Sequence, residues 1–172
     1  MKSTLSLHPG RRTLLRRVAL ALIASIWFVS VRADDPAPAG DDNARPWRKL
    51  FDGKTLKGWE STDFGGQGAV LVKEGQIVLE PGQPLTGITW KGGPLPKVNY
   101  EVQLEAQKIE GGDFFLALTF PYKESYCSLV LGGWGGGVVG LSSINGFDAS
   151  ENETTEYLSF EDGKWYKVRV VV

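Results

Sequence analysis

The chain has 172 residues with 19 basic and 20 acidic side chains, one histidine and one cysteine. This length suits a single core, and a lone cysteine, Cys127, excludes an internal disulfide. The near-neutral total of −1 hides an asymmetry between the first 33 residues and the rest, and that asymmetry decides which functions remain open.

Residues 1–33 read as an export leader. Arg11, Arg12, Arg16 and Arg17 precede an apolar run from Val18 to Val31, which is too short to span a bilayer comfortably. Val31 and Ala33 occupy the −3 and −1 positions of a cleavage site before Asp34. The stretch RRTLLRR also resembles a twin-arginine signal, and an uncleaved N-terminal anchor is the competing reading. The leader carries six basic and no acidic residues. Its removal would leave thirteen basic against twenty acidic residues in a 139-residue exported chain, a net charge of −7. Such a chain is repelled by phosphate, so nucleic acid is excluded as a partner. Contact with a membrane is expected only through the uncleaved leader. The leader also holds His8, the one histidine. Without it a Ser-His-Asp triad, a Cys-His pair and histidine metal ligation are all closed, and acid–base work falls to Asp, Glu, Tyr or Lys. Residues 34–46, DDPAPAGDDNARP, form a polar linker with no apolar period.

From Trp47 onward no segment keeps a 3.6-residue apolar period. Short β-rich runs recur between Gly, Pro and Asp: 70–72, 76–79, 87–90, 99–109, 114–120, 126–131, 138–142, 156–160 and 165–172. KEGQ at 73–76, EGGD at 110–113 and EDGK at 161–164 are read as the turns that join neighbours. Nine such runs predict an all-β sandwich or barrel over 47–172. In NYEVQLEAQKI, Tyr100, Val102, Leu104 and Ala106 should face the core. Glu101, Gln103, Glu105 and Gln107 should form either a solvated convex face or the lining of a concave one. Phe114, Leu116, Leu118 and Phe120 are expected to share one side of a central strand. The last run, WYKVRVVV, has one apolar face and no turn after it, which suggests a C-terminally truncated sandwich.

Three further motifs carry weight. GGWGGGVVG at 132–140 contains a G-x-G-x-x-G, but no helix pattern follows, so a dinucleotide site is rejected. A glycine loop that frees Trp134 to stack on a sugar ring competes with Trp134 folded into the core. DASENETTE supplies Asp148, Glu151 and Glu153, which are preferred as a solvated acidic loop over a calcium site. No cofactor is expected. Cys127, alternating with Leu129 and Leu131, reads as a small buried apolar residue.

LFDGKTLKGW at 50–59 resembles the opening signature of the 3-keto-disaccharide hydrolase domain family, common in exported proteins of planctomycetes and related bacteria. The matching residues are Phe51, Asp52, Gly53, Leu56, Gly58 and Trp59. EGQIVLE at 74–80, NYEVQLEAQKIEGGDFF at 99–115 and DGKWYKVRV at 162–170 resemble later segments of that family. The resemblance implies a concanavalin-like jelly-roll, with Phe51 and Trp59 clamping the first strand and its loop, and an exported domain acting on carbohydrate by cleaving a 3-keto-glycoside. The region 111–137 departs from the family pattern: it has no Arg, and Tyr126 is followed by Cys127 and Ser128 rather than an acid. Glu101, Glu105, Glu124 and Glu156 are the candidate bases, Tyr126 is a candidate acid or orienter, and Trp134 is a candidate sugar platform. The site is expected on the concave sheet near the glycine loop. A non-catalytic carbohydrate-binding or adhesion module is the alternative.

Overall fold

A computed structural model describes residues 23–33 and 47–172. The linker 34–46 and most of the leader lie outside the described residues. The described residues contain no helix, and twelve strands run in chain order: β1 Ile23–Ala33, β2 Arg48–Lys49, β3 Trp59–Ser61, β4 Val70–Lys73, β5 Gln76–Leu79, β6 Ile88–Trp90, β7 Tyr100–Glu110, β8 Leu116–Tyr122, β9 Ser125–Gly133, β10 Val138–Ser142, β11 Glu156–Tyr157 and β12 Trp165–Val171. They form an all-β sandwich of the jelly-roll kind. One sheet runs β12-β7-β1-β5-β4 with β2 beside β1, the second runs β11-β10-β9-β8, and β3 pairs with β6. Every strand pairing is antiparallel.

The two large sheets meet over one core. Tyr100, Val102, Leu104 and Ala106 of β7 are buried with Val168 of β12, Leu116 of β8 and Phe115 just before it. That is the face expected from the alternation along β7. Leu118, Leu129 and Leu131 close the core from the second sheet. The hydroxyl of Tyr100 donates to the Pro121 carbonyl, so this buried ring keeps a partner for its polar end. Burial pushes its pKa up to about 12.

The opening motif is a structural clamp. Asp52 accepts from the Lys54 amide at 2.8 Å, the Thr55 amide at 2.7 Å and the Thr55 hydroxyl at 2.7 Å, which fixes the turn around Gly53. Phe51 is buried, and the Trp59 indole donates to the Leu50 carbonyl at 2.7 Å. Trp59 meets Trp90 edge-on at 5.2 Å. Gly58 has φ +83°, and a Cβ there would lie 2.7 Å from the Trp90 ring. Glycine is therefore required immediately before Trp59 on both counts.

The hairpin turn at KEGQ is found where expected, with φ of 53° at Glu74 and 78° at Gly75, the pattern of a type I′ turn. The short strands β2 and β3 fall outside the nine expected runs, and three further strands differ from expectation. The run 114–120 begins two residues late, at Leu116, because Phe114 takes φ 46° with its amide bonded to its neighbour Asp113 at 2.8 Å. The alternation breaks there. Phe115 enters the main core with Phe160 and Tyr166, while Phe114 packs with Val130 and Val138 in a second cluster. The run 156–160 is a strand only at Glu156–Tyr157; Leu158 still bonds to Gly137, and the chain then turns so that the Glu161 amide donates to the Tyr166 hydroxyl. The third difference is β1. Residues 23–33, read as leader, form a strand between β7 and β5. Ile26, Val29 and Val31 are buried in the core, so an apolar β-branched run that suits a leader equally suits a buried strand.

Candidate functional site

The outer face of the larger sheet carries a charged ladder. Because Tyr100, Val102, Leu104 and Ala106 point inward, Glu101, Gln103, Glu105 and Gln107 point outward. The register of β7 with β12 sets Lys167 opposite Glu105, Arg169 opposite Gln103 and Trp165 opposite Gln107. The carboxylate row of one strand thus faces the cations of the next.

Glu101 is only 2% exposed and is held by a forked ion pair. Arg169 Nε lies 2.5 Å from Glu101 Oε1, and Nη2 lies 2.9 Å from Oε2. The Gln103 amide adds a bond to Oε1 at 2.7 Å. A carboxylate saturated in this way is a fixed anion that orients its guanidinium. Glu105, two pleats along, differs. Its side chain is 30% exposed, and the contact with Lys167 Nζ is loose at 3.8 Å. Its lone pairs remain accessible to a ligand. The Gln107 amide donates to the Gly163 carbonyl, and Lys108 pairs with Asp162 at 2.9 Å, so the far end of the ladder is tied to the turn before β12.

The other candidates lie on the second sheet. Glu124 sits in the β8–β9 turn with its side chain 91% exposed and bonded to Lys97 at 2.9 Å. Tyr126 is exposed at the start of β9. Trp134 follows the other end of that strand, 41% exposed and tilted against Phe114 at 5.1 Å. Eight residues of extended chain separate Tyr126 from Trp134, about 26 Å, so one disaccharide does not touch both. The structure brings Glu101 and Glu105 together on one face and leaves Glu124, Tyr126 and Trp134 on the other sheet. Glu156 is exposed on β11.

The glycine run is a turn device. Gly132, Gly135 and Gly136 all have positive φ, and a Cβ on Gly136 would meet the Gly112 carbonyl at 2.6 Å. The acidic loop is organised by neutral groups rather than by its acids. Asn152 donates to the Leu141 and Asp148 carbonyls, both at 2.8 Å, and the Thr154 hydroxyl accepts from the Leu141 amide at 2.8 Å. Among the described residues no group of three His, Cys, Asp or Glu side chains is placed to hold a metal ion. The Cys127 thiol lies 3.3 Å from the Ser142 carbonyl, and burial pushes its pKa up, the reverse of an activated nucleophile.

Arg169 and Lys167 are not among the site residues expected from the sequence. The signal was present in the alternation of WYKVRV, but its meaning depended on which strand lay alongside. An arginine is missing from the region 111–137, and β12 delivers one to β7 from 68 positions further on than Glu101.

The described strands define an all-β jelly-roll sandwich. The chain matches the 3-keto-alpha-glucoside-1,2-lyase-like domain over residues 46–172 and belongs to that family. No curated protein and no solved structure matches it.

Proposed function

We propose that this domain cleaves 3-keto-glycosides by elimination, with the ladder on β7 and β12 as its site. The observation that supports this reading is the pairing of an accessible carboxylate, Glu105, with two cations on the same face, Lys167 and Arg169. Proton abstraction beside a ketone needs both elements: a base for the carbon acid and positive charge for the oxygen that becomes negative. Glu105 takes the C2 proton, and the electron pair moves onto the C3 oxygen as an enolate facing Lys167 and Arg169. The enolate then re-forms the ketone and expels the C1 substituent, leaving a C1=C2 double bond. The departing oxygen takes up a proton, from Glu105 or from water. Addition of water to C1 would complete a net hydrolysis. Glu101 acts by holding Arg169 in place. No histidine takes part in any step.

The test is turnover of a 3-keto-disaccharide by wild type and Glu105→Gln. General-base catalysis is worth roughly 100- to 10,000-fold, so turnover should fall by that range while binding persists. Full activity in Glu105→Gln removes Glu105 from the role. A binding module remains the second reading, supported by the exposed Trp134 ring. Binding of unmodified sugar that is lost in Trp134→Ala, with no turnover of any 3-keto sugar by wild type, would favour it.

A further inference from the structure

The elimination leaves one choice open. A ketone at C3 acidifies the protons on both of its neighbours, C2 and C4. Loss from C2 leads to expulsion of the C1 substituent, and loss from C4 does not. In a 3-keto-glucoside both of these C–H bonds are axial and lie on one face of the ring. A base beneath that face reaches either carbon when the ring turns in its own plane. Glu105 alone therefore does not decide which proton leaves.

The strand register supplies a second contact. Trp165 pairs with Gln107, and Lys167 with Glu105, so the indole stands on the outward face with the ladder, diagonal to Glu105. Diagonal neighbours lie about 7–8 Å apart, within reach of an aromatic side chain. Trp165 is part-exposed, whereas the next residue, Tyr166, turns inward against Phe115 and Phe160. The turn that delivers Trp165 is tied down on several sides. The Gly163 amide donates to the Lys108 carbonyl at 2.7 Å, and the Gly163 carbonyl accepts from the Gln107 side-chain amide. The Tyr166 hydroxyl accepts from the Glu161 amide at 2.8 Å, and Lys108 pairs with Asp162 at 2.9 Å. The start of β12, from which the indole springs, is thus fixed relative to Glu105.

We propose that Trp165 positions the sugar by stacking beneath C4 and its C5–C6 side, so that C2 alone lies over Glu105. An axial C–H face is apolar and packs against an indole. With C4–H against the ring, that proton is screened from the base. An axial hydroxyl at C4, as in the C4 epimer, would be pressed against the indole without a hydrogen-bond partner. The assignment rests on the ladder reading of Glu105 and adds to it the choice of carbon.

The experiment uses the full chain and methyl 3-keto-glucoside in heavy water, with enzyme-dependent loss of the C2 and C4 protons followed by proton NMR. Wild type should lose the C2 proton at least about tenfold faster than the C4 proton, a margin that one well-packed aromatic contact supplies. Trp165→Ala should bring the ratio toward one, and Trp165→Phe, which keeps a ring, should retain most of it. With wild type, kcat/KM for the C4 epimer should be roughly tenfold or more lower, and the gap should close in Trp165→Ala. If Trp165→Ala does not fold, the two wild-type comparisons decide. An unchanged C2-to-C4 ratio in Trp165→Ala, equal loss at both carbons in wild type, or equal kcat/KM for the two epimers overturns the assignment and leaves the role of Glu105 standing. No enzyme-dependent loss at either carbon overturns the ladder reading and this assignment together.

Discussion

The outer faces of the two large sheets share a core but differ in chemistry. Along β7 and β12 the outward side is Glu, Gln and Glu against Lys and Arg, locked at one end by the fork of Arg169 on the buried Glu101 and loose at Glu105. Along β8 and β9 it is Ala117, Thr119 and Ser128, where the Thr119 and Ser128 hydroxyls lie 2.7 Å apart, with aromatic rings only at the two ends. The first face holds a partly exposed carboxylate and two cations. The second holds neutral hydroxyls and a platform at its margin. Under the proposed function, acid–base work falls to the first face and any role of Trp134 to binding.

Perturbation of a carboxylate is a poor guide to that division. Asp52, in the opening turn, has its pKa lowered to about 2 by the Thr55 amide and hydroxyl and the Lys54 amide. Strong shifts often mark functional sites, but here the cause is a turn closing on itself. Glu105 is singled out by accessibility and by facing cations.

Four substitutions or titrations sharpen the contrast. Leu104→Ala removes a core side chain beneath the ladder, between Gln103 and Glu105 in sequence, and should cost about 2–5 kcal/mol by chemical denaturation. Arg169→Ala acts on the ladder alone. It withdraws a fork from the buried Glu101 and should cost about 1–2 kcal/mol, less than a fully buried pair because water reaches Arg169. Thr119→Val, its counterpart on the other face, should stay within about 0.5 kcal/mol, and a loss as large as that of Arg169→Ala would erase the distinction. The smallest effect is the titration of Asp52. Its folded pKa lies below the unfolded value of 3.8, so its contribution is present above about pH 4 and is lost as pH falls toward 2. A carboxyl NMR titration giving an ordinary value for Asp52 would show that the turn is not closed as described.

Much of the sandwich was readable from residue order. The period-2 pattern of NYEVQLEA named the inward set on β7, and KEGQ named a two-residue turn, because both signals are local. The short strands Arg48–Lys49 and Trp59–Ser61 were missed because so short a run has no period. The start of β8 was misplaced because a left-handed Phe114 cannot be read from an apolar run. The leader segment was ambiguous in kind: the apolar and small residues of IASIWFVSVRA suit a membrane-directed segment and a buried strand alike. Of the candidate site, the two carboxylates of β7 were visible, since they lie on one strand. Their partners Arg169 and Lys167 were not, because a cross-strand neighbour is set by topology. Glu124, Tyr126 and Trp134 were grouped with the carboxylates only by assuming one concave surface, and the sheet order separates them.

Under the proposed function the ladder removes a proton beside a ketone. The direct measurement is deuterium uptake at C2 of a 3-keto-glycoside in heavy water, followed by proton NMR with wild type, Glu105→Gln and Trp134→Ala. Wild type and Trp134→Ala at saturating sugar should exchange or eliminate the C2 proton, and Glu105→Gln should fall by roughly 100-fold or more. Undiminished exchange in Glu105→Gln, or its loss in Trp134→Ala alone, would contradict the assignment of chemistry to the β7–β12 face.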